Sequence, residues 1–155
     1  MIEIERKYLV VSSQFKEDAF NEYTIKQGFL NSDPERTVRI RLANDKGTLT
    51  VKGLSSDDGL TRFEWEKELN KKDAISLLQL CEEGIIHKIR YEIRVGQHIV
   101  EVDEFFGENE GLVIAEIELN SVDEIFERPI WFGKEVTGDI KYYNSQLGKN
   151  PFKTW

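Results

Sequence analysis

Charged and apolar residues alternate with a period of two through stretch after stretch of this chain, and that repetition limits the fold more than any other feature. Successive side chains of a strand point to opposite faces, so residues two apart share one. The first stretch puts Glu3, Glu5 and Lys7 on one face and Ile2, Ile4, Tyr8 and Val10 on the other, with Arg6 as the single polar interruption. One such strand is ordinary, because an antiparallel sheet often has one wet face. Here the pattern recurs. Arg39 and Arg41 alternate with Val38, Ile40 and Leu42, and Thr48, Thr50 and Lys52 with Leu49 and Val51. Arg62, Glu64, Glu66 and Glu68 alternate with Phe63, Trp65 and Leu69, and Lys88, Arg90, Glu92 and Arg94 with Ile89, Tyr91, Ile93 and Val95. Lys26, the pair Glu101 and Asp103, and the pair Glu116 and Glu118 complete the charged face.

Eight strands are predicted, at 2–10, 23–30, 36–43, 46–54, 60–69, 85–95, 98–106 and 112–120. Turn-forming clusters such as Asn44-Asp45-Lys46-Gly47, Ser55-Ser56-Asp57-Asp58-Gly59 and Gly96-Gln97 separate them. Three helices are predicted: a short one capped by Ser12 or Ser13 and carrying Phe15, Ala19 and Phe20; one at 71–82 capped by Asn70; and one at 138–147 capped by Thr137 and closed by Gly148. No linker, low-complexity tract or long repeat divides residues 1–155, so a single domain is expected. Short connections between mainly antiparallel strands predict an α+β fold dominated by β, a closed or nearly closed eight-stranded barrel. Closure would remove exposed edges.

The formal net charge of −8 argues against nonspecific binding to nucleic acid or to an anionic membrane. Cys81 is the only cysteine, which excludes a disulfide framework and a thiolate metal cluster; beside Ala74, Leu77 and Leu78 it is expected to pack as a small buried group. With no apolar run of membrane-spanning length and no signal-peptide pattern, the expected location is the cytoplasm. His87 and His98 lack the spacing of a zinc site, Ser55 and Ser56 sit in a turn, no Gly-rich phosphate loop is present, and Trp131 with Phe132 reads as a turn anchor.

If the charged faces pointed outward, the apolar faces would fill the barrel and the amphipathic helices would have little to cover. The reverse arrangement resolves this: apolar faces pack outward against helices, and the charged faces line a hydrated tunnel. Such a lining must compensate its own charge, because isolated buried charges are very costly. Arg and Lys from several strands suit phosphate oxygens, while clustered Glu and Asp suit a hard divalent cation that binds through carboxylates and substrate phosphates. A polyphosphate with its metal calls for both sets in one place.

Glu3-Ile-Glu5-Arg-Lys7 matches the ExExK signature of the CYTH superfamily, the triphosphate tunnel metalloenzymes. Lys26-Gln-Gly28-Phe-Leu, Val38-Arg39-Ile-Arg41, Leu49-Thr-Val-Lys52, Glu101-Val-Asp103 and Ala115-Glu116-Ile-Glu118 follow in the family's order, and Trp131 to Thr137 resembles a closing segment of small bacterial members. The resemblance spans nearly the whole chain. It implies an antiparallel tunnel that binds a triphosphate and hydrolyses or cyclises it with Mg2+ or Mn2+, with a C-terminal helix at 138–147 closing one mouth. By position, it implies a metal set of Glu3, Glu5, Glu116 and Glu118, assisted by Asp103 and Glu101. It implies a phosphate clamp of Lys7, Lys26, Arg39, Arg41, Lys52, Lys88 and Arg90, and catalytic roles for Glu3, Glu5, Lys7 and Lys88. Many related sequences carry Tyr where this chain has Phe29, so any role of that hydroxyl is absent here or filled by another group.

The expected function is metal-dependent hydrolysis of a triphosphate, inorganic tripolyphosphate first, since no added domain recognises a base or a thiazolium ring. Cyclisation of ATP stands second, with thiamine and nucleoside triphosphates as further substrates. A noncatalytic polyphosphate binder would gain nothing from the acidic set, and a lipid carrier would need an apolar interior. The expected partner is a small triphosphate or polyphosphate, with no nucleic acid and no membrane; a homodimer is left open.

Overall fold

A computed structural model describes the whole chain, Met1–Trp155. Its strands are β1 (Ile2–Val10), β2 (Ala19–Asn31), β3 (Arg36–Ala43), β4 (Lys46–Gly53), β5 (Thr61–Leu69), β6 (Ile86–Val95), β7 (His98–Phe105), β8 (Val113–Glu118) and β9 (Phe132–Glu135). The helices are α1 (Phe15–Asp18), α2 (Lys71–Leu78) and α3 (Asn144–Leu147). The first eight strands form a closed antiparallel barrel in the order β5-β4-β3-β2-β6-β7-β8-β1, and β1 pairs back to β5. The predicted barrel and the predicted strands are therefore present, with β2 extended toward α1.

The seam is the least regular part of the barrel. On one edge β1 pairs with β8 from Glu5 to Leu9. On its other edge Ile2 to Ile4 pair with β5, and Tyr8 and Val10 pair with β9. Between those two short ladders, Glu5 donates its N–H to the Leu60 carbonyl, and Lys7 donates its N–H to Thr137 Oγ1 at 2.9 Å. Lys7 thus has its backbone held by the segment that follows β9, which also donates from Val136 N–H to the Lys7 carbonyl.

The apolar faces point outward, as expected for an inside-out barrel. Ile40, Ala74 and Leu78 are buried together where α2 lies on β3 and β4. Asn70 caps α2 by accepting from the Asp73 N–H at 2.8 Å, the bond that an N-cap Asn supplies. Gly47 makes the contact close: a Cβ there would stand 2.6 Å from Ala74 Cβ. A larger cluster of Tyr8, Phe15, Tyr91, Val100, Ile117 and Trp131, among others, covers the outside of β6–β8, with α1 and the β8–β9 connection packed over it.

The inside changes character along the barrel. Leu9, Ile86, Phe105 and Ile114 share faces with Lys7, Lys88, Asp103 and Glu116, and they close into an apolar plug with Leu112 and Leu147. Leu147 comes from a C-terminal strap, 137–148, that lies across this end. The strap is seated by a backbone approach between two glycines: a Cβ on Gly59 would fall 2.2 Å from Gly138 Cα, and both residues have positive φ. No helix of the chain is long and apolar enough to cross a membrane.

Several local expectations need correcting. Ala19 and Phe20 belong to β2, so α1 is only four residues long. The strap is not one helix, because Gly138 at φ 77° and Tyr143 at ψ 135° break it into a 3-10 turn, Ile140–Tyr142, and the four-residue α3. Thr137 caps neither; it accepts from Lys7 and donates to Glu135 Oε2 at 2.7 Å. Asp139 caps the 3-10 turn by accepting from the Lys141 N–H. A short ninth strand, Phe132–Glu135, was not expected; Trp131, buried in the turn that enters it, and Phe132, stacked on Tyr8, do anchor that turn. Cys81 is half-buried, its Sγ donating to the Leu77 carbonyl.

Candidate active site

The charged faces line a partly open cavity, and only three of its 21 lining residues are hydrophobic, so it suits a charged ligand. Its walls come from β1 to β6 and β8, and the strap supplies Thr137, Tyr143, Asn144 and Ser145.

On β1, Lys7 Nζ lies 3.7 Å from Glu5 Oε1 and 3.6 Å from Glu116 Oε1. Burial works against its charge, yet Glu116 and Glu5 overcome that and push the ammonium up to about 12. Glu5 fares differently: burial, reinforced by Glu116, pushes its carboxyl up to about 8. Burial also opposes ionisation of Glu116, but Lys7 and Arg90 outweigh it and hold that carboxylate below its ordinary range. Nearby, Lys52 Nζ bridges Glu3 at 2.7 Å and Glu64 at 3.2 Å.

On β6 and β7 the charges are paired in the interior. Lys88 and Arg90 converge on Asp103, with Lys88 Nζ 2.7 Å from Oδ2 and Arg90 donating from Nε at 2.7 Å and Nη2 at 2.9 Å. Arg90 Nη1 also donates to Glu101 at 3.0 Å. Burial pushes Lys88 down to about 7, against the pull of Asp103. Burial would raise the Asp103 carboxyl, but Arg90 and Lys88 drive it well below the ordinary range.

The β3 arginines are left nearly free. Arg41 makes one hydrogen bond, from Nε to Gln27 Oε1 at 2.9 Å, and no ion pair. Arg39 donates from Nη2 to Thr50 Oγ1 at 3.0 Å and stands 3.8 Å from Glu66, while its buried Nε has no partner. Burial, with Arg39 and Arg90 adding, pushes Arg41 down to about 9. These guanidiniums face a cavity with most of their donors unused, and an anion there would relieve both the burial and the mutual repulsion.

A family model for the CYTH domain matches residues 1–146. The chain belongs to the CYTH domain family. An inorganic triphosphatase of Acetivibrio thermocellus is 47% identical over 154 residues, covering 99% of this chain and 97% of that protein. An inorganic triphosphatase of Nitrosomonas europaea is 34% identical over 151 residues, covering 95% of this chain and 97% of that protein. Among solved structures, that of the inorganic triphosphatase NE1496 superposes with a TM-score of 0.64 at 28% identity, covering 94% of this chain and 93% of that one. The activity in all three names is the one expected from the sequence.

Within this CYTH domain, Glu3, Glu5, Lys7, Arg39, Arg41, Lys52, Lys88, Arg90 and Glu116 line one cavity. Four residues of the expected site do not. Lys26 is exposed on the outside of the barrel. It lies opposite Leu42 of β3 and His87 of β6, whereas Gln27 lies opposite Arg41. Directly opposed residues share a face, so an inward Arg41 forces Gln27 in and Lys26 out. Asp103 is 1% exposed, and its two oxygens already accept three hydrogen bonds from Lys88 and Arg90. Glu101 is held by Arg90. Glu118 is exposed at the rim, opposite Glu5.

The lining also includes Arg62, Thr50, Tyr143 and Asn144, and Gln27 lies just behind it. Arg62 and Thr50 belong to the alternating polar face that the sequence shows. Gln27 was hidden by the choice of Lys26, since a bulge between Phe29 and Asn31 breaks the count from strand to strand. Nothing local in the sequence marks Tyr143 or Asn144.

A metal would find oxygen donors only, because neither histidine nor the cysteine lines the cavity. No three acidic, histidine or cysteine side chains are grouped closely enough to hold an ion by themselves. The residues fit a hard cation held by one or two carboxylates together with substrate oxygens.

Proposed function

We propose that this CYTH domain hydrolyses inorganic tripolyphosphate, with Mg2+ or Mn2+ as the metal. The observation that carries the reading is the juxtaposition of Arg39 and Arg41, with most donors unengaged, and the carboxylates Glu3, Glu5 and Glu116 across one cavity. Arg39 and Arg41 bind the phosphoryl oxygens with the fork geometry of guanidinium, and Arg62 and Lys52 add charge at the same wall. Lys7, raised to about 12, stays an ammonium and neutralises charge on the phosphoryl oxygens rather than taking a proton.

Water attacks the terminal phosphorus, and the bond from that phosphorus to the bridging oxygen breaks. The products are orthophosphate and diphosphate, and the two hydrogens of the water are distributed between them. Glu3, Glu5 and Glu116, with Glu118 at the rim, are the groups that would hold the divalent ion, since Asp103 and Glu101 are engaged by β6 cations. Once bound, the ion supplies Lewis-acid stabilisation of the phosphoryl group. The proposed compartment is the cytoplasm, where the free thiol of Cys81 stays reduced.

A substrate panel with Mg2+ or Mn2+ tests the reading, with phosphate, diphosphate and cyclic AMP measured separately. The expected result is phosphate and diphosphate from tripolyphosphate, at a kcat/KM at least about tenfold above that for ATP or thiamine triphosphate, a difference of about 1.4 kcal/mol. Cyclic AMP and diphosphate from ATP, or tight binding without turnover of any substrate, would overturn it.

A further inference from the structure

The strap adds a polar side chain to the cavity whose orientation is set by a chain of hydrogen bonds. Arg41 can only donate, so the Gln27 atom it meets at 2.9 Å is the amide oxygen. The Gln27 amide nitrogen is thereby turned to Asn144, which it meets at 2.8 Å. Lys88, also a pure donor, reaches the same Asn144 atom at 3.0 Å. Two donors converging on one atom make it Oδ1. Gln27 is fully buried, so this order cannot be relaxed by water around it. The consequence falls on Asn144 Nδ2. It has no protein partner, it is not among the buried polar atoms left unpaired, and its residue lines the cavity.

We propose that Asn144 is a substrate-binding residue, whose Nδ2 donates an uncharged hydrogen bond to a phosphoryl oxygen of the triphosphate while Oδ1 is locked by Lys88 and Gln27. The proposal rests on the functional reading above and extends it to the strap. A neutral donor here complements the cationic clamp: it recognises an oxygen without adding to the repulsion among Lys88, Arg90 and Arg41, which already oppose one another's charge. It also gives the strap a part in binding as well as in closing the barrel. Gln27 relays the position of clamp Arg41 to Asn144, so it acts as a positioning residue.

The test uses the full chain, with inorganic tripolyphosphate binding measured by calorimetry and turnover measured alongside. Asn144→Asp keeps an acceptor for Lys88 and Gln27 but removes the donor. Asn144→Leu removes both. Ser55→Asp, elsewhere on the cavity lining, controls for an added negative charge. The expected result is a Kd and KM for tripolyphosphate raised about tenfold or more in both Asn144 variants, the loss of one hydrogen bond to a charged group. Asn144→Asp should keep the wild-type melting temperature while Asn144→Leu melts lower. If Asn144 were only an anchor for the strap, Asn144→Asp would bind as wild type, and that result overturns the proposal. A Ser55→Asp penalty equal to that of Asn144→Asp would also overturn it, because charge alone would then account for the loss. Wild-type protein that neither binds nor cleaves tripolyphosphate would instead sink the functional reading itself, and this inference with it.

Discussion

Arg39 and Arg41 on β3 and Lys88 and Arg90 on β6 bring the same charge into the same cavity, yet their surroundings differ. The β6 pair is neutralised inside the wall: Asp103, almost fully buried, takes three hydrogen bonds from Lys88 and Arg90, and Glu101 takes a fourth. The β3 pair has a glutamine, a threonine and one distant glutamate for company. A protein gains no stability from leaving buried guanidiniums short of partners. The β6–β7 wall is therefore read as framework that holds its own charge, and the β3 wall as the part that waits for an anion. Identity of residue type does not separate these roles; the partner does.

The largest effect that would break this contrast is on stability. Asp103→Asn leaves Lys88 and Arg90 buried without their shared carboxylate, and removing one partner of a buried ion pair costs about 3–5 kcal/mol. Urea unfolding should register that loss in metal-free, ligand-free protein. A variant as stable as wild type would show that Asp103 is not the keystone of the β6–β7 wall.

A smaller effect sharpens the contrast on the acidic side. Burial and Glu116 keep the Glu5 proton on until about pH 8 in the native state, whereas an unfolded glutamate releases it near 4.5. Between those values the native state binds more protons than the unfolded state, so this contribution to stability falls as pH rises. The metal-free wild type should therefore lose more stability than Glu5→Gln between about pH 5 and pH 8. The difference is on the order of 2 kcal/mol, smaller than a lone group would give because Glu5 titrates together with Glu116 and Lys7. Equal slopes in the two proteins would show that Glu5 ionises normally in the native cavity.

Much of this was legible in the sequence, for physical reasons that also explain what was not. The alternation in 36–43 and 46–53 could be read because each strand buries one whole face, and a one-residue slip would expose Ile40 and Leu49. Closure and the inward turn of the charges followed from the same pattern. Lys26 failed because the inward residues of β2 are Ile25, Gln27 and Phe29, so its charged position lies on the outer face and only pairing to Arg41 reveals it. The strap failed as a helix because Gly138 meets Gly59 across the fold, a contact with no local signature. The difference between Asp103 and Glu116 as carboxylates was likewise hidden, since both alternate correctly and only the tertiary structure assigns their cations.

The most direct test of the contrast between the walls is tripolyphosphate binding by calorimetry in wild type and Arg41→Ala, alongside the melting temperature of each ligand-free protein. Because Arg41 has one neutral hydrogen bond and no ion pair, the variant should melt within about 2 °C of wild type or above it. Its affinity for tripolyphosphate should fall about 100-fold, as expected when a charge-assisted guanidinium–phosphate contact is removed. An Arg41→Ala protein that melts far below wild type but binds tripolyphosphate equally well would contradict the account, because the β3 arginine would then be framework and not clamp.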